Sequence, residues 1–249
     1  RSIESNEETA TMPTDTLSEE FKIWHYNHVL NFLLFSYAMQ GNFAKVSNTL
    51  DRKFGFYTPR YSDQRPRYWV RFKRWNDILK AQVPPADSRP ETLKAWAWAR
   101  AMALVVTGDI AKAEAERSKD RTDPNPLRKI DDARIDAAIA RQKGEKAKEI
   151  DLLRDAVDAE DTLGYSEPPL SISPVRENLG GALLRDRQFV EAEKTFREDL
   201  RRNPGSGRSL FGLMTALEKQ GKMAEAEKVR KQYSESWKYA DIKLTVEEL

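Results

Sequence analysis

Apolar positions in the last third of the chain recur at a spacing of 34 residues. Leu179 and Leu183 lie four apart, on one stripe of a helix, and Leu213 and Leu217 repeat them. Ala192, inside Glu191 and Glu193, has its counterpart in Ala226, inside Glu225 and Glu227. Each period predicts a helix, a short polar turn (186–188, then 220–222) and a second helix. Pro204 stands where the first unit must stop, because proline lacks the amide that a continuing helix needs. In such a hairpin the alanine lets the two helices approach closely, and Phe196 fills the space behind it. One hairpin leaves an apolar face uncovered, so copies stack on one another.

Weaker copies run upstream. Gly108, Asp109 and Ile110 predict a turn entering a second helix, preceded by a helix over 95–106. Gly144 predicts another turn, between helices over 133–142 and 147–158, and Gly41 a third, after a helix over 30–39. Residues 68–81 read as a shorter helical piece. Pro84, Pro85, Pro124 and Pro126 punctuate the chain between units. Glu149 and Val46 occupy the small-residue position of their hairpins, so less regular packing is expected there. Residues 23–44 carry no Asp, Glu, Lys or Arg. They include His25, Asn27, His28, Asn31 and Gln40, which suits a buried helix and not a membrane span. Residues 1–20 hold six acids against one base and no periodicity, and are expected to form a flexible acidic arm or an extended partner-hugging segment.

With Ser173 as first position, Leu179, Gly180, Leu183, Ala192, Phe196 and Pro204 fall on preferred positions of a known motif. The chain thus resembles a tetratricopeptide repeat protein. That resemblance implies an all-α fold, an α-solenoid (right-handed superhelix) of about five hairpins. It would span 21–245, with the clearest repeats at 173–206 and 207–240. A finer likeness, to a bacterial-type group of such proteins, rests on Glu167, Pro168 and Pro169, on Pro174, Val175 and Arg176, and on Phe196, Arg197, Glu198, Asp199 and Leu200 with Asn203 and Pro204. Members of that group are longer, so the chain reads as a C-terminal portion or a shortened relative. It departs from the group at residues 170–173, where aromatics are usual, and at Asn31, where a second histidine is usual. The group implies no activity beyond protein binding.

Composition narrows the chemistry. The 249 residues include 42 Lys and Arg, 40 Asp and Glu, two histidines and no cysteine, for a formal net charge of +2. This excludes disulfide scaffolds, thiol catalysis and cysteine-ligated metals, and gives no global drive toward nucleic acid or anionic membranes. His25 and His28 lack a third ligand nearby in sequence, and no catalytic set or phosphate-binding glycine loop is present. No enzyme activity, cofactor or metal is expected. Arg1 in place of Met marks a processed form or a piece of a longer chain. A soluble protein is expected, with the cytoplasm slightly favoured over an exported or organellar mature form.

Residues 52–75 interleave eight bases with eight aromatics: Phe54, Phe56, Tyr57, Tyr61, Tyr68, Trp69, Phe72 and Trp75. Such interleaving suits single-stranded nucleic acid. Packing between irregular hairpins is the preferred reading, with nucleic acid the lesser one. The interval 167–173 lengthens one inter-hairpin loop, and Tyr165, Glu167 and Arg176 are its candidates for a small-ligand or metal site. The repeat frame places Trp98, Met102, Arg134, Arg141, Arg185, Arg208 and Phe211 on the inner, concave face. The four arginines there suit an acidic, extended segment of a protein partner. The expected function is a non-enzymatic protein–protein interaction scaffold or assembly subunit.

Overall fold

The computed structural model describes residues 2–12, 18–21, 25–56, 63–117 and 125–249, with the side chains of Ser2, Glu19 and residues 53–56 left aside. Lys53, Phe54, Phe56, Tyr57, Arg60 and Tyr61 of the basic–aromatic stretch, and Pro124, therefore lie outside the described side chains.

Among the described residues every regular element is helical. In chain order they are α1 (Ser2–Ala10), α2 (Glu19–Phe21), α3 (Asn27–Met39), α4 (Phe43–Phe56), α5 (Arg65–Arg71), α6 (Trp75–Lys80), α7 (Pro90–Val106), α8 (Ile110–Glu116), α9 (Pro126–Gln142), α10 (Lys146–Asp161), α11 (Val175–Arg185), α12 (Phe189–Arg202), α13 (Gly207–Lys219) and α14 (Met223–Ser236). A single 3₁₀ turn, Val246–Glu248, follows. Each helix packs on its neighbour in sequence, from α9 through to α14 without interruption, and α7 bridges the α5–α6 pair to α9. No helix among the described residues is long and apolar enough to cross a membrane.

One turn geometry recurs six times. Residue 41, 73, 108, 144, 187 or 221 adopts positive φ. Its amide donates to the carbonyl three residues back, and the next amide donates to the carbonyl five residues back, as in Arg187 N to Leu184 O (3.0 Å) and Gln188 N to Leu183 O (2.9 Å). This pair of bonds satisfies carbonyls that a helix end would leave bare. Four of the six are glycines, which enter the left-handed region without a Cβ penalty. Lys73 (φ 55°) and Arg187 (φ 63°) do so against a steric cost of about 1–2 kcal/mol.

The interior divides into three apolar clusters, centred on α9–α14, on α3–α4 and on α7 with its neighbours. In the first, the fully buried Phe196 ring lies between Gly180 and Gly212. A Cβ at either glycine would come within 2.3 or 2.2 Å of the ring. Val46 is likewise fully buried. Glu149 is buried too, and it resolves the irregularity expected at its position by pairing with Arg185 of the next hairpin at 2.7 Å.

At the N-terminus the structure differs from the expected arm. Residues 2–10 are helical and α1 docks on α3. Ala10 is buried, and Glu7 accepts from Tyr37 Oη (2.5 Å) and Lys45 Nζ (2.7 Å). One of the acids that removed periodicity from this stretch, Glu7, thus supplies docking contacts. Trp96 and Trp98 are both buried; Trp96 donates to Asp63 and meets Trp69 edge-on. His28 packs edge-on against Phe32, and His25 against Phe21.

Candidate functional site

Helical periodicity brings side chains from successive hairpins onto one wall. Trp98 and Met102 sit four apart on α7, Arg134, Ala138 and Arg141 lie on one face of α9, and Glu177 and Arg185 stand two turns apart on α11. Together with Arg71, Lys73 and Trp75 from the α5–α6 hairpin, Glu149 from α10 and Arg208 from α13, they line a cavity of about 320 Å³. The chain's own tail, Glu247, Glu248 and Leu249, forms part of the same lining.

The tail is seated by backbone and side chain alike. Thr245 and Glu248 close a capping box around the 3₁₀ turn. Arg141 Nη2 donates to the Glu247 carboxylate (2.5 Å) and carbonyl (3.1 Å). Arg185 Nη1 donates to the carbonyls of Val246 (3.0 Å) and Leu249 (3.4 Å), and Arg208 donates to that of Glu248. Leu249 is 2% exposed and rests on Gly181, where an added Cβ would come within 2.6 Å of the leucine Cβ. The glycine at 181 therefore makes the seat.

Buried charge surrounds this seat. Glu177 is 2% exposed and lies between Arg71 (2.9 Å) and Arg208 (3.1 Å), with Ser206 Oγ at 3.0 Å. Burial alone would raise its carboxyl, but the two guanidiniums and the hydrogen bonds from Arg71 and Ser206 hold it below its ordinary range. Lys73 faces a different balance. It rests against the Trp75 ring at 5.6 Å, and burial, followed by the charges of Arg208, Arg141, Arg185 and Arg134, pushes its ammonium down to about 7. Arg134 is 8% exposed and donates to the Ser173 carbonyl; its Nε has no acceptor, and burial lowers it from the ordinary arginine value.

The chain matches no protein-family model, no curated protein and no solved structure. The site is therefore read from its own geometry.

Of the residues expected on an inner face, Trp98, Met102, Arg134, Arg141, Arg185 and Arg208 line this cavity, whereas Phe211 packs against Tyr233 at 5.8 Å. The three loop candidates are not gathered. Tyr165 is 89% exposed, and its hydroxyl meets only Glu167. Arg176 turns back to Asp161 on α10 with two bonds of 2.6 and 2.7 Å. Glu167, with Pro168 and Pro169, borders a second cavity of about 440 Å³ that His28, Asn31, Arg67 and Asp131 also line. No group of three or more His, Asp or Glu among the described residues could hold a metal.

Five of the eight bases of the basic–aromatic stretch are engaged internally. Arg52 reaches Tyr26, Arg65 reaches Asp63, Arg67 reaches Asp131, Arg71 reaches Glu177 and Arg74 reaches Asp77. Tyr68 and Phe72 are buried. Two participants escaped the sequence reading: Lys73 and the tail at 245–249. Lysine in a turn position that holds glycine at 41, 108, 144 and 221 was the available signal for the first, and two acids flanked by Val246 and Leu249 for the second.

Proposed function

We propose that this chain is a non-enzymatic interaction scaffold. In this reading the stacked hairpins form a tetratricopeptide-like α-solenoid, and the 320 Å³ cavity is its concave face. That face takes an extended segment of a protein partner bearing acidic and apolar side chains. The six identical turns and the Phe196 ring held between Gly180 and Gly212 support the repeat architecture. One observation carries the function: a segment of this chemistry, residues 245–249, already lies on Arg141, Arg185 and Arg208 with its leucine in a small-residue seat. Carbonyls and a carboxylate are met by arginine side chains, and an apolar side chain is buried, which is the chemistry a partner segment would reuse.

The test is competition by the tail. A labelled peptide of residues 243–249 is titrated by fluorescence anisotropy into the full chain and into a Glu247→Arg, Leu249→Asp variant. The first substitution sets like charges against Arg141; the second places a carboxylate in the apolar seat. The variant should bind the peptide saturably and at least about tenfold more tightly than the unaltered chain, whose tethered tail competes in cis. No saturable binding to the variant defeats the proposal.

A further inference from the structure

The tail lines one side of the cavity, and two of the cations on the lining make no ion pair. Six cations line the cavity, Arg71, Lys73, Arg134, Arg141, Arg185 and Arg208, against four carboxylates. Glu177 serves Arg71 and Arg208, Glu149 serves Arg185, and Glu247 serves Arg141. The Glu248 carboxylate turns to the Thr245 amide. Among the described residues, none of the four pairs with Lys73 or Arg134. Arg134 is more than nine-tenths buried, and its one hydrogen bond goes to a backbone carbonyl. Glu160 and Asp131 act on it only through longer-range charge, and a buried cation without an ion pair is costly. Lys73 adds a second cost, because its backbone holds the left-handed conformation in a turn where Gly41, Gly108, Gly144 and Gly221 hold it freely. Arg187 holds the same turn conformation away from the cavity, so it is the missing ion pairs that set Lys73 and Arg134 apart at the cavity wall.

We propose that this part of the cavity binds a compact, doubly charged oxyanion of the phosphate or dicarboxylate class, held between the Lys73 ammonium and the Arg134 guanidinium. A planar guanidinium fork and a point-charge ammonium are complementary donors for such a group. The cavity has room for the anion with water, or for a small molecule carrying it. This site goes beyond peptide docking and does not depend on it.

The full chain is titrated calorimetrically with inorganic phosphate and, separately, with succinate, at constant ionic strength. Saturable one-site binding with Kd on the order of 0.1–1 mM is expected for at least one of them, and the better binder names the class. Lys73→Gly removes the cation and relieves the left-handed backbone, so this variant should melt no lower than the unaltered chain yet bind at least about tenfold more weakly. Lys73→Met keeps the strain, removes the charge and should lose binding equally. Absence of saturable binding of both anions up to about 10 mM overturns the proposal. So does unchanged binding in Lys73→Gly. Peptide and anion are read in separate titrations, so either proposal can fail alone.

Discussion

Asp199 is 1% exposed, accepting from Ser209 Oγ at 2.5 Å and Asn203 Nδ2 at 3.0 Å. Burial, then the nearby charge of Glu177, pushes its carboxyl up to about 7, while the two hydrogen bonds pull the other way. The folded chain therefore keeps this proton up to about pH 7, whereas an unfolded aspartate releases it near pH 4. Between those values the folded state binds more protons, so stability falls as pH rises. Asp199→Asn keeps an acceptor and removes the titration. Its stability by urea unfolding should lose that slope between pH 4 and 7, gaining on the unaltered chain by as much as a few kcal/mol at the upper end (roughly 1–3). A slope as steep as that of the unaltered chain would refute this assignment of the proton. Sequence alone marked Asp199 only as part of a repeat-end motif. The neighbour that perturbs it, Glu177, is 22 residues away in sequence and becomes adjacent only when α11 packs against α12 and α13.

At the scale of elements, close approach and aromatic filling are two halves of one device. Phe196 on α12 occupies the notch made by Gly180 on α11 and Gly212 on α13. Phe196→Ala should destabilise by about 3–5 kcal/mol through the cavity left behind. Gly180→Ala should cost about 1–3 kcal/mol through overpacking. The Gly180→Ala, Phe196→Leu double variant should recover part of that second cost, and strict additivity in thermal or urea unfolding would show that the two residues do not share a space. This device was legible in part: spacing placed Ala192 and Phe196 in it, and Gly180 entered through the resemblance to the tetratricopeptide repeat. Glu149 was legible as an irregularity but not as an ion pair, because its partner lies one hairpin on. The α1 helix was not legible. Nine residues without a strong apolar stripe have little helical drive of their own, and it is docking on α3 that holds them.

Across the whole molecule, the start of α4 meets the segment after α14. The Asp241 carboxylate accepts from the first amides of α4, Phe43 N at 2.8 Å and Ala44 N at 2.7 Å, and Asn42 Nδ2 donates to the Tyr239 carbonyl. The Trp237 ring lies against Gly207 and Gly41, where a Cβ would come within 1.9 and 2.4 Å. An N-terminal cap for α4 is thus supplied from about two hundred residues away, in the region where a capping side chain is worth about 1 kcal/mol. Asp241→Ala should lower stability by about that amount and speed hydrogen exchange at the Phe43 and Ala44 amides specifically; uniform exchange rates across both chains would sink this closure. The sequence by itself determined most of the helices, most of their turns and the 34-residue packing device. These depend on residues close together in the chain, whose spacing encodes which face they share. Only the tertiary structure decided that the tail turns back onto the arginine wall, that Lys73 and Arg134 are left without an ion pair, and that Asp241 caps α4. Each of those outcomes joins residues far apart in sequence, and no local period records which distant charge or backbone group a side chain will meet.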